Sequence, residues 1–237
     1  MDTARIAALL QPFLSQSLAP MRLEQISTYI NLLLRWNARI NLTAIRNEEE
    51  IVTRHFGESF FLARHVVPRS VDRQGTDTPA QLKASAAVPQ ALTRILDIGS
   101  GAGFPALPIK IWAPEIQLTM IESNHKKAAF LREVARALTL TNVDVIADRA
   151  EALAAREDVP RANIVTLRAV ENFARTLTQA EALLMPKGCL ALLIGISQAP
   201  LLKSASNVQW KSPIPIPQSN GRVLSLGMKI NKVEQNR

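Results

Sequence analysis

The chain has 237 residues, of which 47% are hydrophobic and 20% are charged, a balance typical of one globular catalytic domain with a small extension. Its 28 Lys and Arg against 20 Asp and Glu give a formal net charge of +8, which favours a polyanionic partner, either nucleic acid or an anionic membrane. The single cysteine, Cys189, excludes an intramolecular disulfide and offers no metal cluster, which fits a reducing, cytoplasmic compartment.

The longest apolar tract, residues 189–196, is far shorter than the ~20 residues that a membrane helix requires. The amino terminus lacks the basic start and the small-residue cleavage site of a signal peptide. We therefore expect a soluble, cytoplasmic protein with no membrane partner.

Residues 1–67 predict a helical extension. From Met21 to Arg39, apolar side chains recur at three- and four-residue spacing and predict one buried stripe, with Tyr29 and Trp36 at its margin. Asn47, with Glu50 three residues later, resembles a capping box and predicts the start of a second helix.

Residues 68–93 contain three prolines and little periodicity, and they predict a connecting segment. Strand and helix patterns then alternate in residues 94–237, which predicts an α/β domain with a parallel sheet and helices on both faces. A carboxyl-terminal hairpin and a basic tail complete this domain. The predicted strands are 94–98, 117–121, 143–147, 164–167 and 189–194, and Ser123 is the predicted cap of the helix after the second strand.

The sequence Ile-Leu-Asp-Ile-Gly-Ser-Gly-Ala-Gly-Phe, residues 95–104, carries the main chemical signal. Gly99, Gly101 and Gly103 follow a buried strand and open a helix, where glycine lets the chain pass close beneath a ligand. A nicotinamide enzyme would have its third glycine at position 104, which is Phe104. Asp97, two residues before the first glycine, suits a ligand with a cationic centre and an amino-acid tail, as in S-adenosylmethionine.

Glu122 ends the second predicted strand, 25 residues beyond Asp97. This is near the ~20-residue spacing at which an acidic residue accepts hydrogen bonds from ribose hydroxyls. The combination favours a nucleoside site over the alternative, a structural turn with an unrelated surface glutamate.

Five segments extend this interpretation to a family: WNARINLTAIRNEEEIVTRHF, ILDIGSGAGFPALPIKI, IESNHKKAAFLREVARAL, ADRAEAL and TLRAV. Together they resemble the bacterial ribosomal RNA small subunit methyltransferase G family. The resemblance implies a Rossmann-like class I S-adenosylmethionine-dependent methyltransferase fold with a mostly parallel seven-stranded sheet. It also implies methylation of guanine N7 in the decoding-centre loop of 16S ribosomal RNA.

Carried over by position, the family's cofactor site implies Gly99 and Phe104 beside the methionine and adenosine, and Glu122 and Ser123 by the ribose. Ala150 and Glu151 would flank the adenine, Arg168 would complete the site, and Arg54 and His55 would lie near the substrate entrance. Lys126 and Lys127, at a helix start near the site, are candidates for phosphate contacts. We expect neither a metal nor a general base, 16S ribosomal RNA or the small subunit as partner, and a monomer.

Other functions remain open at this point. A methyltransferase for protein or a small molecule is one, although the N-P-P-Y or D-P-P-Y tetrad of amide and exocyclic-amine methylation is absent. A methyltransferase-fold RNA-binding protein with weak or altered activity is another, because Ile194 stands where the family generally has a lysine. The basic residues of the last forty positions either contact phosphates or are simply solvated.

Overall fold

The computed structural model describes residues 1–67, 93–170 and 172–230. The predicted connection at 68–93 lies almost wholly outside these ranges, as do Lys232 and Arg237 of the basic tail. Among the helices in these ranges, none is both long and apolar enough to cross a membrane.

The amino-terminal part is helical, as the sequence predicts. It contains α1 (Thr3–Leu10), a 3-10 turn (Gln11–Phe13), α2 (Pro20–Asn37), α3 (Glu48–Glu50), a π-helical segment (Ile51–Gly57) and α4 (Glu58–Val66). The backbone N–H of Glu50 donates to Asn47 Oδ1 at 3.0 Å, so Asn47 is the predicted cap. The change to π geometry, which periodicity does not predict, lies in the segment that carries Arg54 and His55.

The rest of the chain builds one mostly parallel sheet in the order β3-β2-β1-β4-β5-β8-β6, which confirms the predicted fold class. The strands β1 to β5 pair in parallel, whereas β8 is antiparallel to β5. An eighth, two-residue strand, β7, pairs with β8 beside the seven that were expected. The strands are β1 (Arg94–Ile98), β2 (Gln117–Ile121), β3 (Val143–Ile146), β4 (Ala162–Arg168), β5 (Leu184–Gly195), β6 (Val208–Trp210), β7 (Ile214–Pro215) and β8 (Arg222–Lys229).

Helices cover both faces of the sheet and divide its core in two. One hydrophobic cluster joins the amino-terminal helices to α5 (Ala106–Trp112) and α6 (His125–Ala137). The other joins the opposite face to α7 (Ala150–Ala154) and α8 (Phe173–Leu183). Alternation along β5 shows the division, because Leu193 belongs to the first cluster and its neighbour Ile194 to the second. Ile194 is therefore a core side chain, 2% exposed.

Contacts along α2 fix its direction across the first face. Near its start, Arg22 donates to the carbonyl of Trp112 at the end of α5, and Gln25 donates to the carbonyl of Leu138, just past the end of α6, at 3.1 Å. Further along, the hydroxyl of Tyr29 donates to the carbonyl of Ala102 in the glycine loop at 2.5 Å. The helix α2 thus runs antiparallel to α6, towards the carboxyl ends of the parallel strands.

Two sequence predictions on this face are wrong. Tyr29 was expected at the margin of the α2 stripe but is fully buried, because its hydroxyl has a carbonyl partner in the core and its ring packs on Phe104. Ser123 was expected to cap α6, but Asn124 does so: its Oδ1 accepts from the N–H groups of Lys126 and Lys127 at 2.9 and 3.2 Å. The helix begins at His125, so Asn124 and not Ser123 directly precedes its first residue, and its side chain reaches the free N–H groups of the first turn.

Candidate active site

A cavity of about 470 Å³ lies at the carboxyl ends of the parallel strands, within the range of about 300–1,000 Å³ that is typical of small-molecule sites. It lies beside β1 and β4, where the strand order reverses and where open α/β sheets bind their ligands. The residues that line it are Ile98, Gly99, Ile121, Glu122, Ser123, Asn124, Lys127, Asp148, Arg149, Ala150, Glu151, Ala169, Val170, Asn172, Arg175, Thr176 and Gln179.

The glycine loop contributes Gly99 to the wall of this cavity, and its glycines serve different purposes. Gly99 lines the cavity with φ at +69°, and a Cβ there would lie 3.1 Å from Cγ1 of Val170. Gly103, with φ at +86°, faces the protein core, since a Cβ would lie 2.6 Å from Cδ1 of Leu107 and closer still to the hydroxyl of Tyr29. The first glycine keeps space for a ligand, and the third allows α2 to pack on the loop.

Glu122 connects the end of β2 to this loop. Its Oε2 accepts from the N–H of Gly101 and its Oε1 from the N–H of Asn124, both at 2.8 Å. These bonds fix the carboxylate in place, and each carboxylate oxygen keeps capacity for another hydrogen bond. Glu122 is therefore held rigidly and is still able to accept from a ligand hydroxyl, while Ser123 next to it is exposed on the cavity wall.

Asp97 is a buried carboxylate with one oxygen unpartnered. Its Oδ1 accepts from the hydroxyl of Thr166 at 2.6 Å, whereas Oδ2 has no hydrogen-bond partner among the described residues. Burial raises the pKa of Asp97 to about 6, because the charged form loses its solvation. A buried oxygen without a partner is uncommon in a folded protein and suits a polar or cationic ligand.

Five of the ten predicted cofactor residues line the cavity, namely Gly99, Glu122, Ser123, Ala150 and Glu151. The other five, which are Asp97, Gly101, Gly103, Phe104 and Arg168, are not among its lining residues. Glu151 lies 3.6 Å from Arg175. Phe104 is stacked between two other rings, with Tyr29 at 5.2 Å and 3° and His55 at 4.6 Å and 16° between ring planes. Its faces are therefore already covered by side chains.

Arg168, at the end of β4, contacts the amino-terminal helices. Its Nη2 donates to the carbonyl of Arg54 at 2.8 Å and lies 3.4 Å from Oε2 of Glu58. The same carboxylate oxygen accepts from Nη2 of Arg222 at 2.7 Å. This group of charges lies between β4, β8 and α4, and Arg168 does not line the cavity described above.

The residues predicted for the substrate side are in separate places. His55 is buried, and burial followed by the charges of Arg168, Arg54 and Arg222 lowers its pKa to about 2, so the ring is neutral. The side chain of Arg54 is exposed and pairs with Glu50 at 3.0 Å. Lys127 lines the cavity, whereas Lys126 lines a neighbouring groove.

Sequence reasoning missed the cavity residues that follow β4. Ala169 and Asn172 have left-handed backbone conformations, with φ at 49° and 48°, which is uncommon outside glycine. Both line the cavity beside Val170. The position of the fourth strand next to the first would have indicated them, because ligand loops follow the strands on each side of the reversal in strand order. Within the described residues, no group of three or more potential metal ligands is present.

Comparison with known proteins gives the family. The sequence model of the family described as rRNA small subunit methyltransferase G matches residues 22–76 and 80–212. A ribosomal RNA small subunit methyltransferase G from Xylella fastidiosa (strain 9a5c) is 34% identical over 197 residues, which are 82% of this chain and 80% of that protein. The protein of the same name from Xanthomonas campestris pv. campestris (strain 8004) is 33% identical over 219 residues, 91% of this chain and 90% of its own.

Solved structures show the same fold at low identity. The ribosomal protein L11 methylase from Lactobacillus delbrueckii subsp. bulgaricus is 13% identical with a TM-score of 0.51, over 74% of this chain and 80% of that one. The fibrillarin pre-rRNA processing protein of Methanococcus jannaschii is 17% identical with a TM-score of 0.50, over 60% and 68%. The family match extends over most of the chain and confirms the resemblance that the motifs predict. The chain therefore belongs to the rRNA small subunit methyltransferase G family of enzymes.

Proposed function

We propose that this protein transfers the methyl group of S-adenosylmethionine to 16S ribosomal RNA, at N7 of a guanine in the decoding-centre loop. The observation that carries the proposal is the match of the family to residues 22–76 and 80–212, which include the walls of the cavity from Ile98 to Gln179. The solved structures support the fold alone.

The residues around the cavity fit S-adenosylmethionine. Gly99 leaves room under a ligand, and Glu122 is fixed for hydrogen bonds to ribose hydroxyls. Asp97 supplies a buried oxygen without a partner near the strand end, which suits the positive charge of the cofactor. We assign the surrounding wall to adenosine contacts by Ser123, Ala150 and Glu151, with Gly101 and Gly103 shaping the loop and Phe104 and Arg168 supporting it from behind.

The reaction requires the two reactants to be positioned correctly and does not require a side chain to transfer a proton. S-adenosylmethionine, when bound, supplies a methyl group that is attached to a positively charged sulfur, and the sulfur keeps the electron pair of the bond that breaks. Guanine N7 already has a free lone pair, so no side chain has to remove a proton first. The protein's task is to hold N7 in line with the methyl group, an orientation effect that supplies about 7–11 kcal/mol. Asp97 and Glu122 therefore act as binding groups in this proposal.

The RNA side of the proposal rests on cations beside the cavity. Lys127 lines the cavity and Lys126 the groove next to it, both in the first turn of α6. Phosphates are favoured there by the side-chain charges and by the helix amino terminus. Arg54 is exposed for a similar contact, whereas the neutral His55 serves to hold Phe104. Arg222 and Lys229 of the basic tail already bond to Glu58 and to main-chain carbonyls.

Together with this function we infer the partner, the cellular compartment and the oligomeric state of the protein. The partner is the small ribosomal subunit or its RNA, the compartment is the cytoplasm, and the protein acts as a monomer. We also propose the division into residues 1–67, 68–93 and 94–237, although the first and last parts share one hydrophobic core.

The direct test is methyl transfer in vitro. Purified protein and methyl-labelled S-adenosylmethionine are incubated with small subunits from cells that lack this gene, and the labelled nucleotide is mapped by chemical cleavage at N7-methylguanine. We expect one modified guanine in the decoding-centre loop and no transfer by Gly99→Asp, whose side chain would fill the cavity floor. Label at another atom or in another RNA would contradict the proposal.

A further inference from the structure

A second concave surface lies next to the cofactor cavity. It is a groove of about 510 Å³ between the end of α2 and the start of α6, and we call it the α2–α6 groove. Its walls carry three cations, one carboxylate and an indole: Arg35, Arg39, Lys126, Glu133 and Trp36. The side chains of Arg35, Arg39 and Lys126 are all exposed, so none of these cations is buried to support the fold.

The groove lies at the active-site edge of the sheet. The helix α2 begins near the far ends of α5 and α6 and reaches the glycine loop at Tyr29. Arg35 follows Tyr29 by six residues, about 9 Å further along a helix that rises 1.5 Å per residue. The helix α6 begins at His125, only four residues past the end of β2, so Lys126 is at this edge too. Its neighbour Lys127 lines the cofactor cavity, which makes the two concave surfaces adjacent.

The charges of the groove are not used within the protein. Across residues 1–67, 93–170 and 172–230, the side chains of Arg35, Arg39 and Lys126 make no ion pair or hydrogen bond, while other surface cations such as Arg5 and Arg156 are paired. Three cations against Glu133 leave a net charge of +2. The amino terminus of α6 adds partial positive charge beside Lys126. Such a surface attracts an anion with several charges.

Trp36 adds an aromatic surface to these charges. One side of its indole is held edge-on against Phe130, with ring centroids 5.7 Å apart, and the side chain is only partly buried. Aromatic side chains next to Arg and Lys are the usual means of holding unpaired bases and their phosphates. A flat membrane does not enter a concave groove, so the shape of this surface favours a nucleic-acid strand over an anionic lipid surface.

We propose that the α2–α6 groove binds a single-stranded segment of the RNA substrate that flanks the methylated nucleotide. Arg35, Arg39 and Lys126 contact its phosphates, and an unpaired base stacks on Trp36. The segment then passes Lys127 and delivers the target base to the cofactor cavity. This inference rests on the proposed function, because it extends the path of the same RNA beyond the cavity.

The test compares two charge-matched double variants. Arg35→Ala/Arg39→Ala removes two groove cations, and Arg136→Ala/Lys187→Ala removes two exposed cations elsewhere, with Arg136 towards the other end of α6 and Lys187 near the start of β5. Binding of fluorescent 16S ribosomal RNA is measured by anisotropy over a range of salt concentrations, with calorimetric binding of S-adenosylmethionine alongside. We expect the groove variant to bind RNA at least about tenfold more weakly, with a salt slope lower by about 1.4, since each lost single-strand phosphate contact lowers it by about 0.7.

The outcomes separate the groove from the function as a whole. The groove proposal is supported if the cofactor affinity is unchanged and only the groove variant loses RNA affinity and slope. It is overturned if both double variants bind RNA equally well while the wild-type protein still methylates it. Failure of the wild-type protein to methylate small-subunit RNA would overturn the proposed function, and the groove assignment with it. Trp36→Phe tests the stacked base, because fluorescence quenching by RNA must decrease in this variant if Trp36 is in contact.

Discussion

Arg222 in β8 donates a hydrogen bond from Nη2 to Oε2 of Glu58, 2.7 Å away, and so joins the last strand of the sheet to α4. The Glu58 side chain is only 2% exposed and also lies 3.4 Å from Nη2 of Arg168, whose side chain is 8% exposed. One carboxylate oxygen thus contacts two guanidinium groups from two different strands, and the three side chains together keep one net positive charge. This arrangement connects the amino-terminal helices to the part of the chain that carries the cofactor cavity.

Glu58→Gln should therefore destabilise the whole protein. The substitution leaves Arg168 buried without its counter-charge, and removal of one partner of a buried pair costs about 3–5 kcal/mol. Because Arg222 is 24% exposed, we expect the lower end of this range. Urea unfolding measures the loss, with Arg156→Ala as the control, which breaks an exposed ion pair with Asp158 and should leave the midpoint unchanged. Equal midpoints for Glu58→Gln and the wild type would contradict the role of this cluster.

Gly101→Ala and Gly103→Ala should differ in stability, although both positions have a left-handed backbone. A left-handed conformation costs an L-residue roughly 1–2 kcal/mol at each. A Cβ at Gly101 finds its nearest neighbour at 3.7 Å, whereas one at Gly103 meets Leu107 and Tyr29. Overpacking of this kind adds about 1–3 kcal/mol. Thermal unfolding of the two variants should show the larger loss for Gly103→Ala; equal losses would mean that α2 does not constrain the loop.

The features that the sequence predicted correctly are those that depend on residues close together in the chain. The strands β1 and β2 were predicted to the residue, because a short apolar run between turn residues is a local signal. The glycine loop and Glu122 were likewise assigned from spacing alone. Gly99 and Glu122 line the cavity, and Glu122 is held by the N–H of Gly101.

The remaining features depend on contacts between distant parts of the chain. Tyr29 is buried by Ala102 and Phe104, more than seventy residues away, and no periodicity within α2 indicates this. Phe104 follows the glycines in the sequence, yet its ring packs between Tyr29 and His55. The groove requires the antiparallel approach of α2 and α6, so Arg35 and Arg39 have no distinctive signal in the sequence.

Asp97→Asn should make the protein more stable and bind the cofactor less well. The folded pKa of Asp97, about 6, is above its ordinary value of 3.8, so the folded state holds more protons between pH 4 and 6. Stability is therefore lost as the pH rises through this window, by about 3 kcal/mol in total for a fully buried group. Asn keeps the acceptor for Thr166 without the charge, and we expect its stabilising effect at pH 8 and none at pH 4.

Cofactor binding should show the opposite dependence on pH. The charged carboxylate favours a cationic ligand, so the affinity of the wild-type protein for S-adenosylmethionine should decrease as the pH falls below about 6. Calorimetric titrations between pH 5 and 8 should show this dependence in the wild type and a lower, nearly constant affinity in Asp97→Asn. If the two proteins bind equally well at pH 8, Asp97 is not part of the cofactor site.

His55 should make the fold sensitive to acid. Its pKa is lowered from 6.5 to about 2 in the folded protein, first by burial and then by Arg168 and other nearby guanidinium groups, so the unfolded chain binds the proton more tightly. The stabilising effect is complete above pH 6.5 and is lost as the pH falls towards 2, by about 1.4 kcal/mol per pH unit.

Asp97 changes stability in the opposite direction between pH 4 and 6, so the wild-type curve alone does not separate the two groups. The difference in unfolding free energy between the wild type and His55→Gln does so: it should shift against the wild type by about 3 kcal/mol between pH 6 and 4. His125→Gln, at the exposed start of α6, is the control, and a pH-independent difference for His55→Gln would show that the imidazole is protonated without cost in the fold.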